Sequence, residues 1–178
     1  MEPNTVRIDR SGDVPVFTFA SSFNVAVHMI DRHIHEGRAD KTAYITERET
    51  VSYGQLAERV NRCGSALLDA GIPPGGRMLM IVKDCPEFVY LYYGAIKAGI
   101  IPVPINTLLR AADYEYMIDD SECSALIYSP ELEGEVGPAL SAASRTPPFV
   151  ALTEGDGGLE NMIAAASDAL APHPSDAM

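Results

Sequence analysis

Residues 77–106, with the sequence RMLMIVKDCPEFVYLYYGAIKAGIIPVPIN, constrain the fold more than any other stretch of the chain. Residues 78–82 form an uninterrupted apolar run of strand length, which is typical of parallel strands covered on both faces. The apolar residues that follow recur every three or four positions up to Gly99, as in an amphipathic helix that ends at a glycine. A second apolar run at residues 100–105 predicts another strand. The stretch therefore predicts a strand–helix–strand unit of an α/β layered domain.

Local features of this unit predict the start of its helix and the place of its second strand. Asp84 and Glu87 have the spacing of a capping box, and Pro86 falls in the first turn, where its missing N–H costs nothing. Pro102 and Pro104 each lack a donor for a ladder hydrogen bond. The second strand is therefore expected at a sheet edge or in an irregular form.

The sequence on both sides supplies further elements. Residues that alternate around Glu47 and Arg48 predict a β-hairpin. Ser52 and Gln55 have capping-box spacing at the start of a helix that should end at Gly71. Helix and strand patterns then alternate, with helices expected at residues 109–119 and 130–142 and strands at 124–128 and 149–152. This order predicts an α/β fold: a mostly parallel layered sheet with flanking helices and a small hairpin.

The composition divides the chain into three parts. Residues 1–22 are expected to form an N-terminal arm that lies extended on the domain or is partly disordered. Residues 23–152 hold the predicted α/β subdomain, beginning with a helix that Asn24 caps and Gly37 ends. Residues 153–178 combine glycines, acidic residues and a short amphipathic helix with a linker-like end.

The net charge of −12 lies entirely in the last third of the chain. Residues 1–110 hold twelve basic and twelve acidic residues, whereas residues 111–178 hold thirteen acidic residues and only Arg145. Such a surface repels nucleic acid and anionic membranes, so neither is expected as a partner. We interpret it as a solvated acidic surface, or alternatively as a face that meets a basic surface outside this sequence. Without an apolar run of membrane-spanning length or a signal pattern, a cytoplasmic location is expected.

Residues that carry chemistry are sparse. We interpret the three widely spaced cysteines as free thiols. His33 and His35 are two positions apart and point to different sides, and no H-E-x-x-H pattern accompanies them, so no metal site is predicted. The sequence lacks a G-x-S-x-G elbow, a Walker loop and a dinucleotide fingerprint, so no catalytic residue is predicted. Lys83 and its acidic neighbours follow a strand, where α/β sheets often bind ligands, but helix capping and solvation are the favoured explanation.

Several motifs, taken in order, resemble a known enzyme family. SYGQL, AGIPPGGRM, DCPEF and GAIKAGIIPVPIN have the order and spacing of the N-terminal part of the adenylate-forming acyl-CoA synthetases. Within that family, FNVAVHMIDRHIHEGRADKTAYI, NRCGSALLDAG and NTLLRAADYEYMIDDSECSALI are most similar to the benzoate-CoA ligases and related aryl-acid ligases. The resemblance covers residues 23–129 and implies a partial N-terminal subdomain of the adenylate-forming enzyme fold.

The resemblance also implies an activity for a longer parent enzyme. Such enzymes use ATP and Mg²⁺ to convert benzoate or a similar aryl acid into an acyl-adenylate, and then transfer the acyl group to CoA. Their ATP-binding loop and catalytic lysine would follow this sequence, because PHPSDAM resembles the stretch before that loop. The chain alone is then expected to be inactive and to bind no cofactor, with the rest of the parent as its partner. Apolar surface left uncovered would favour homo-oligomers.

One ligand contact and two alternatives follow from the same resemblance. Some aryl-CoA ligases have a basic residue near a CoA phosphate two places after the residue matching Asn106. That place is Leu108 here, which leaves the nearby Arg110 as the candidate CoA-phosphate contact. The first alternative is a stand-alone binding or interaction module on the same scaffold. The second is part of a fatty-acyl-CoA ligase or another adenylation domain.

Overall fold

The computed structural model describes residues 1–47 and 49–175. Arg48, in the predicted turn of the hairpin, and residues 176–178, at the end of the PHPSDAM stretch, lie outside the described residues. The strands are β1 (Val6–Asp9), β2 (Val16–Phe19), β3 (Thr42–Ile45), β4 (Thr50–Ser52), β5 (Arg77–Ile81), β6 (Ile101–Pro104), β7 (Ala125–Tyr128) and β8 (Phe149–Leu152). The helices are α1 (Arg32–His35), α2 (Tyr53–Asp69), α3 (Pro86–Lys97), α4 (Ala111–Ser121), α5 (Glu133–Ala142) and α6 (Leu159–Ala165). A π-helical turn, Val27–Asp31, precedes α1, and a 3₁₀ turn, Pro130–Leu132, precedes α5.

The four strands β6, β5, β7 and β8 form a parallel sheet in that spatial order. In the central strand, Leu79 lies opposite Val103 on one side and Leu126 on the other. Helices connect successive strands, as parallel neighbours require. The predicted α/β fold with a parallel layered sheet is therefore confirmed.

The sheet is covered on both faces, which explains why its strands are apolar without alternation. Met78 and Met80 of β5 face a core built with α2, α3 and α6. Leu79 and Ile81 of the same strand face a second core built with α4 and α5. All four side chains are at most 1% exposed. Because the side chains on both faces of β5 are removed from water, a shift of the strand by one residue is unfavourable. The burial therefore fixes the register of the central strand.

The prolines of β6 lie at a sheet edge, as their sequence positions predicted. The backbone N–H groups of Ile101 and Ile105 donate to Gly76 and Met80, at N–O distances of 2.9 Å each. Alternate residues of a strand direct their backbone groups to opposite sides, so the nitrogens of Pro102 and Pro104 point away from β5. The missing donors therefore cost β6 no hydrogen bond to its neighbour.

The ends of α3 fit the sequence prediction at one end only. Gly99 has a φ of +81°, and its N–H donates to Ile96 while that of Ile100 donates to Ala95. These bonds are those of a helix closed by a left-handed glycine, as predicted. The predicted capping box at the start is wrong, because the N-cap residue is Cys85 and no side chain caps the helix there.

The predicted hairpin and the capping box of α2 are both confirmed. Strands β3 and β4 pair antiparallel, with Ile45 opposite Thr50. The Ser52 hydroxyl accepts from the N–H of Gln55, while the Gln55 side chain accepts from the N–H of Ser52. The paired residues of the hairpin and the two residues of the capping box are close together in the sequence, so the sequence pattern was sufficient to predict both features.

Both ends of the chain carry structure that the sequence analysis did not anticipate. Strands β1 and β2 form an antiparallel hairpin within the first 22 residues, and Phe17 and Phe19 are 56% and 49% exposed. Residues 166–175 have no regular secondary structure but lie against α2 and α3, where the N–H of His173 donates to the carbonyl of Lys97 at 2.8 Å. The arm is thus a hairpin, and the linker-like end contacts the domain.

Candidate functional site

A cleft of about 1030 Å³ opens at the carboxyl edge of the parallel sheet. The chain passes from β5 to its neighbour on one side, β6, and then crosses to β7 on the other side of β5. The cleft lies at this reversal of strand order, which is a topological switch point. Open α/β sheets bind ligands at such points, just beyond the carboxyl ends of the strands. Lys83 and Asp84 follow β5, and Ser129 follows β7, so strand ends supply its floor.

The walls of the cleft come from different elements and have different chemistry. The β3–β4 hairpin contributes Tyr44 and Thr46, and the start of α3 contributes Pro86, Phe88 and Val89. Among the described lining residues, seven carry carboxylates and one is a lysine: Glu47, Glu49, Asp84, Glu87, Glu131, Glu154, Glu160 and Lys83. The described lining is therefore partly aromatic and strongly acidic.

Two of these carboxylates have basic partners. Lys83 Nζ lies 3.2 Å from Glu131 Oε1, and the Lys83 N–H donates to Ser129 Oγ at 3.1 Å. Arg59 holds Glu49 with two hydrogen bonds of 2.7 Å each, which keep the pKa of the Glu49 carboxyl below its usual value. The Lys83 side chain is 47% exposed, so water screens the ion pair of Lys83 with Glu131 and this pair contributes little to stability.

The thiol in the cleft is not an activated nucleophile. Cys85 is half-buried at the start of α3, and burial, together with hydrogen bonding to Glu87, raises the pKa of its thiol to about 11. The reactive form of cysteine is the thiolate, which is scarce at neutral pH when the pKa is this high. Glu87 also accepts a hydrogen bond from the hydroxyl of Tyr90 at 2.9 Å, so it contacts its own helix instead of capping it with Asp84.

The described cleft does not suit the anionic groups of an adenylate-forming reaction. ATP, CoA and an aryl carboxylate all carry negative charge, and seven described carboxylates surround a single described lysine that is already paired with Glu131. Like charges in one cleft repel such ligands. The described lining of this cleft is therefore unsuited to binding these anionic groups.

Arg110, the predicted CoA-phosphate contact, lies at the same edge of the sheet but does not line the cleft. It immediately precedes α4, and its side chain is 80% exposed. Its guanidinium lies 3.0 Å from Glu135, whose other oxygen accepts from the N–H of Ala111 at 2.8 Å. The Arg110 side chain is thus accessible to a ligand, which would compete for it with the partly exposed carboxylate of Glu135.

The histidines near the N-terminus have local protein partners. The ring of His33 stacks on Tyr53 at a centroid distance of 3.8 Å and accepts from Arg38 at 3.0 Å. Burial and the charge of Arg38 lower the pKa of His33. Within residues 1–47 and 49–175 we found no cluster of three or more potential metal ligands among histidine, cysteine and acidic side chains. Over the same residues, every helix is too short or too polar to span a bilayer.

A buried polar network at the C-terminal end of α3 was not predicted from the sequence. Lys97 is 3% exposed, and its Nζ lies 2.6 Å from Asp31 Oδ2 and 2.6 Å from Asn61 Oδ1. Asn24 is 2% exposed and donates from its amide to the carbonyls at the end of the same helix. The available signal was a lysine within the apolar run GAIKAGII, since a lone charge in such a run needs a partner once it is buried.

Several curated proteins that are similar to this chain are ligases of aromatic acids. The chain is 39% identical over 158 residues to "Benzoate--CoA ligase" of Thauera aromatica, covering 88% of this chain and 29% of that protein. It is 39% identical over 109 residues to "4-hydroxybenzoate--CoA/benzoate--CoA ligase" of Rhodopseudomonas palustris, covering 61% of this chain and 20% of that protein. The chain thus spans less than a third of the length of these relatives.

Solved structures agree with this similarity. A benzoate CoA ligase from Burkholderia xenovorans superposes with a TM-score of 0.73 at 36% identity, covering 87% of this chain and 30% of that chain. An anthranilate CoA ligase solved with anthranoyl-AMP gives a TM-score of 0.81 at 26% identity, covering 89% and 30%. The model of the AMP-binding enzyme family matches residues 31–175. Because that match spans most of the described α/β domain, the chain belongs to the AMP-binding enzyme family.

Proposed function

We propose that this chain is the N-terminal structural part of an aryl-acid CoA ligase, which forms an acyl-adenylate from ATP and then an acyl-CoA. The observation that carries the proposal is the 39% identity to a benzoate--CoA ligase across 88% of the chain. A "3-hydroxybenzoate--CoA ligase" of an Aromatoleum species adds support, at 30% identity over 86% of the chain. Benzoate or a similar aryl acid is the proposed substrate.

A fatty-acyl substrate is the second candidate, and its support is narrower. "Long-chain-fatty-acid--CoA ligase FadD13" of Mycobacterium tuberculosis is 37% identical, but over only 44% of this chain. The similarity to the benzoate--CoA ligase extends over 88% of the chain, twice the share covered by the fatty-acid ligase, and therefore favours an aryl acid as the substrate. We infer that regions which the relatives possess in addition surround the acyl chain, so an assay of the longer protein must distinguish the two substrates.

The chain would support the reaction instead of carrying it out. The two-sided core gives a rigid sheet, and the described cleft is too acidic for ATP or CoA. Bound ATP with Mg²⁺ would supply the activating adenylate and CoA the acceptor thiol, both held by regions that the relatives possess in addition. The rest of such a protein is the proposed partner of this chain, and a cytoplasmic location fits soluble substrates of this kind.

Isothermal titration of the 178-residue chain with ATP, benzoate and CoA, each with Mg²⁺ present, should give no heat of binding. The physical reason is the surplus of described carboxylates in the cleft, which opposes anionic ligands. Saturable binding of any of the three would show that the chain holds a site of its own, in agreement with the stand-alone module.

The activity itself is tested on a longer protein that joins this segment to the regions present in its relatives. Benzoate, ATP and CoA together should yield AMP and benzoyl-CoA, whereas a long-chain fatty acid should not replace benzoate. If AMP were released with a long-chain fatty acid but not with benzoate, the fatty-acyl substrate would be supported instead. Absence of adenylate formation with either acid would contradict the proposed activity.

In the same longer protein, Arg110→Ala should raise the KM for CoA by about 5-fold while leaving the KM for ATP unchanged, since one exposed ionic contact to phosphate contributes about 1 kcal/mol. Arg145→Ala is the matched control, because Arg145 is also an exposed arginine but lies in the loop between α5 and β8. Equal CoA kinetics in the two variants would remove Arg110 as a CoA contact.

A further inference from the structure

The last described residues pack against the α/β domain through specific contacts. Arg62 of α2 donates to the carbonyl of Ala166 at 2.7 Å and lies 3.8 Å from the carboxylate of Asp168. Leu170 packs over Gly64, where an added Cβ would come within 2.4 Å of a Leu170 methyl group. The glycine therefore makes room for Leu170. We call residues 166–175 the strap.

The end of the strap is held by backbone groups of two distant segments. The N–H of His173 donates to the carbonyl of Lys97, and the carbonyl of Ser175 accepts from the N–H of Phe23 at 2.7 Å. The imidazole of His173 lies over Gly99, where a Cβ would approach the ring to 2.5 Å. The strap is thereby fixed between α3 and the residues that follow the N-terminal hairpin.

Asn24 joins the strap to α3. Its side-chain nitrogen lies 3.0 Å from the carbonyl oxygen of Ile96, 3.4 Å from that of Lys97 and 3.1 Å from that of His173. Its side-chain oxygen accepts from the N–H of Ala26 at 3.1 Å. The amide is buried, so losing any of these partners would leave a polar group without water to replace it.

The same residue joins the N-terminal arm. The backbone N–H of Asn24 donates to Oδ1 of Asn4 at 2.6 Å, and the N–H of Asn4 donates to the carbonyl of Ser22 at 3.0 Å. Asn4 has a φ of +61°, a left-handed conformation that asparagine and glycine adopt more readily than other residues. Asn4 therefore fixes the backbone of Asn24, whose side chain in turn holds the strap.

We propose that Asn24 is a shared anchor that couples the N-terminal arm to the strap, so that loosening the arm also loosens the strap. The coupling acts through the placement of one buried amide, which must satisfy α3 and His173 at once. A shift of its backbone, following loss of the Asn4 contact, lengthens the bond to His173.

Amide hydrogen exchange of the 178-residue chain, followed by mass spectrometry, tests the coupling. Asn4→Gly keeps the left-handed backbone but removes the acceptor, and should speed exchange in residues 166–175 by about fivefold, the effect of losing one hydrogen bond. Asn4→Asp is the control, because it keeps an oxygen acceptor and should leave the strap protected. None of the strap residues touches Asn4 in the described contacts, so the effect must pass through residues 23 and 24, which contact Ser175 and His173.

The reverse direction uses a variant of the strap itself. Leu170→Ala removes the side chain that packs over Gly64 and should speed exchange at residues 20–24, which Ser175 and His173 of the strap contact. Faster exchange in the arm of Asn4→Gly with an unchanged strap would overturn the coupling. Equal acceleration in β5 and β7 would also overturn it, because general destabilisation would then explain the result.

Discussion

Lys97→Met should lower the free energy of unfolding by about 3 kcal/mol, because it leaves a largely buried carboxylate without its cation. Lys97 Nζ is 2.6 Å from Asp31 Oδ2, and the two side chains are only 4% and 16% exposed. Methionine retains most of the apolar stem, so the loss reports the charge and its hydrogen bonds. Urea unfolding followed by circular dichroism would measure it.

The matched variants separate the ion pair from packing. Lys83→Met removes a lysine that is 47% exposed and paired with Glu131, so its effect should stay below about 0.5 kcal/mol. The double variant Lys97→Met/Asp31→Leu replaces both charges by apolar groups and should regain most of the stability, within about 1 kcal/mol of the unmodified chain. If the double variant were as unstable as the sum of its parts, the ion pair would not be the source of the loss.

Gly94→Ala should lower the free energy of unfolding by about 2 kcal/mol even though alanine favours helices more than glycine does. A Cβ at Gly94 would lie 2.9 Å from the backbone of Gly64, 2.9 Å from the carbonyl oxygen of Val60 and 3.0 Å from the Cβ of Cys63. The first two of these atoms belong to the backbone of α2, so the two helices must separate. The gain in helix propensity, about 1 kcal/mol, is smaller than the cost of overpacking, about 3 kcal/mol.

Gly134→Ala is the matched control for this prediction. Gly134 lies in α5, is exposed, and has open space where a Cβ would be added. The substitution should therefore raise stability by up to about 1 kcal/mol through helix propensity alone. A Gly94→Ala chain that was equally stabilised would show that the contact between α2 and α3 is looser than these distances indicate.

Local patterns were sufficient for most of the fold. The apolar run before Lys83 predicted a strand buried on both faces, and Gly99 predicted the end of α3. Pro102 and Pro104 predicted an edge strand, because a proline has no donor for a neighbour. Each of these features is defined by a few neighbouring residues, through their apolar side chains, their backbone conformation or a missing hydrogen-bond donor.

The candidate site was only partly accessible to such reasoning. The sequence placed Lys83 and Asp84 at the end of a strand, which the cleft confirms. It could not show that the β3–β4 hairpin supplies the opposite wall, since Tyr44 and Lys83 are far apart in the chain. The choice of Cys85 instead of Asp84 as the N-cap residue of α3 also depended on the exact start of a helix, which packing fixes.

The sequence by itself determined the order of strands and helices after the N-terminal hairpin, the two-sided burial of the sheet and the family resemblance. Only the tertiary structure decided that Lys97 is buried against Asp31, and that Asn24 contacts both the N-terminal arm and the strap. Positions that meet only after folding leave no periodic trace in the sequence. Hydrogen bonds between them depend on distances of a few tenths of an ångström, which the packing of α2 and α3 sets.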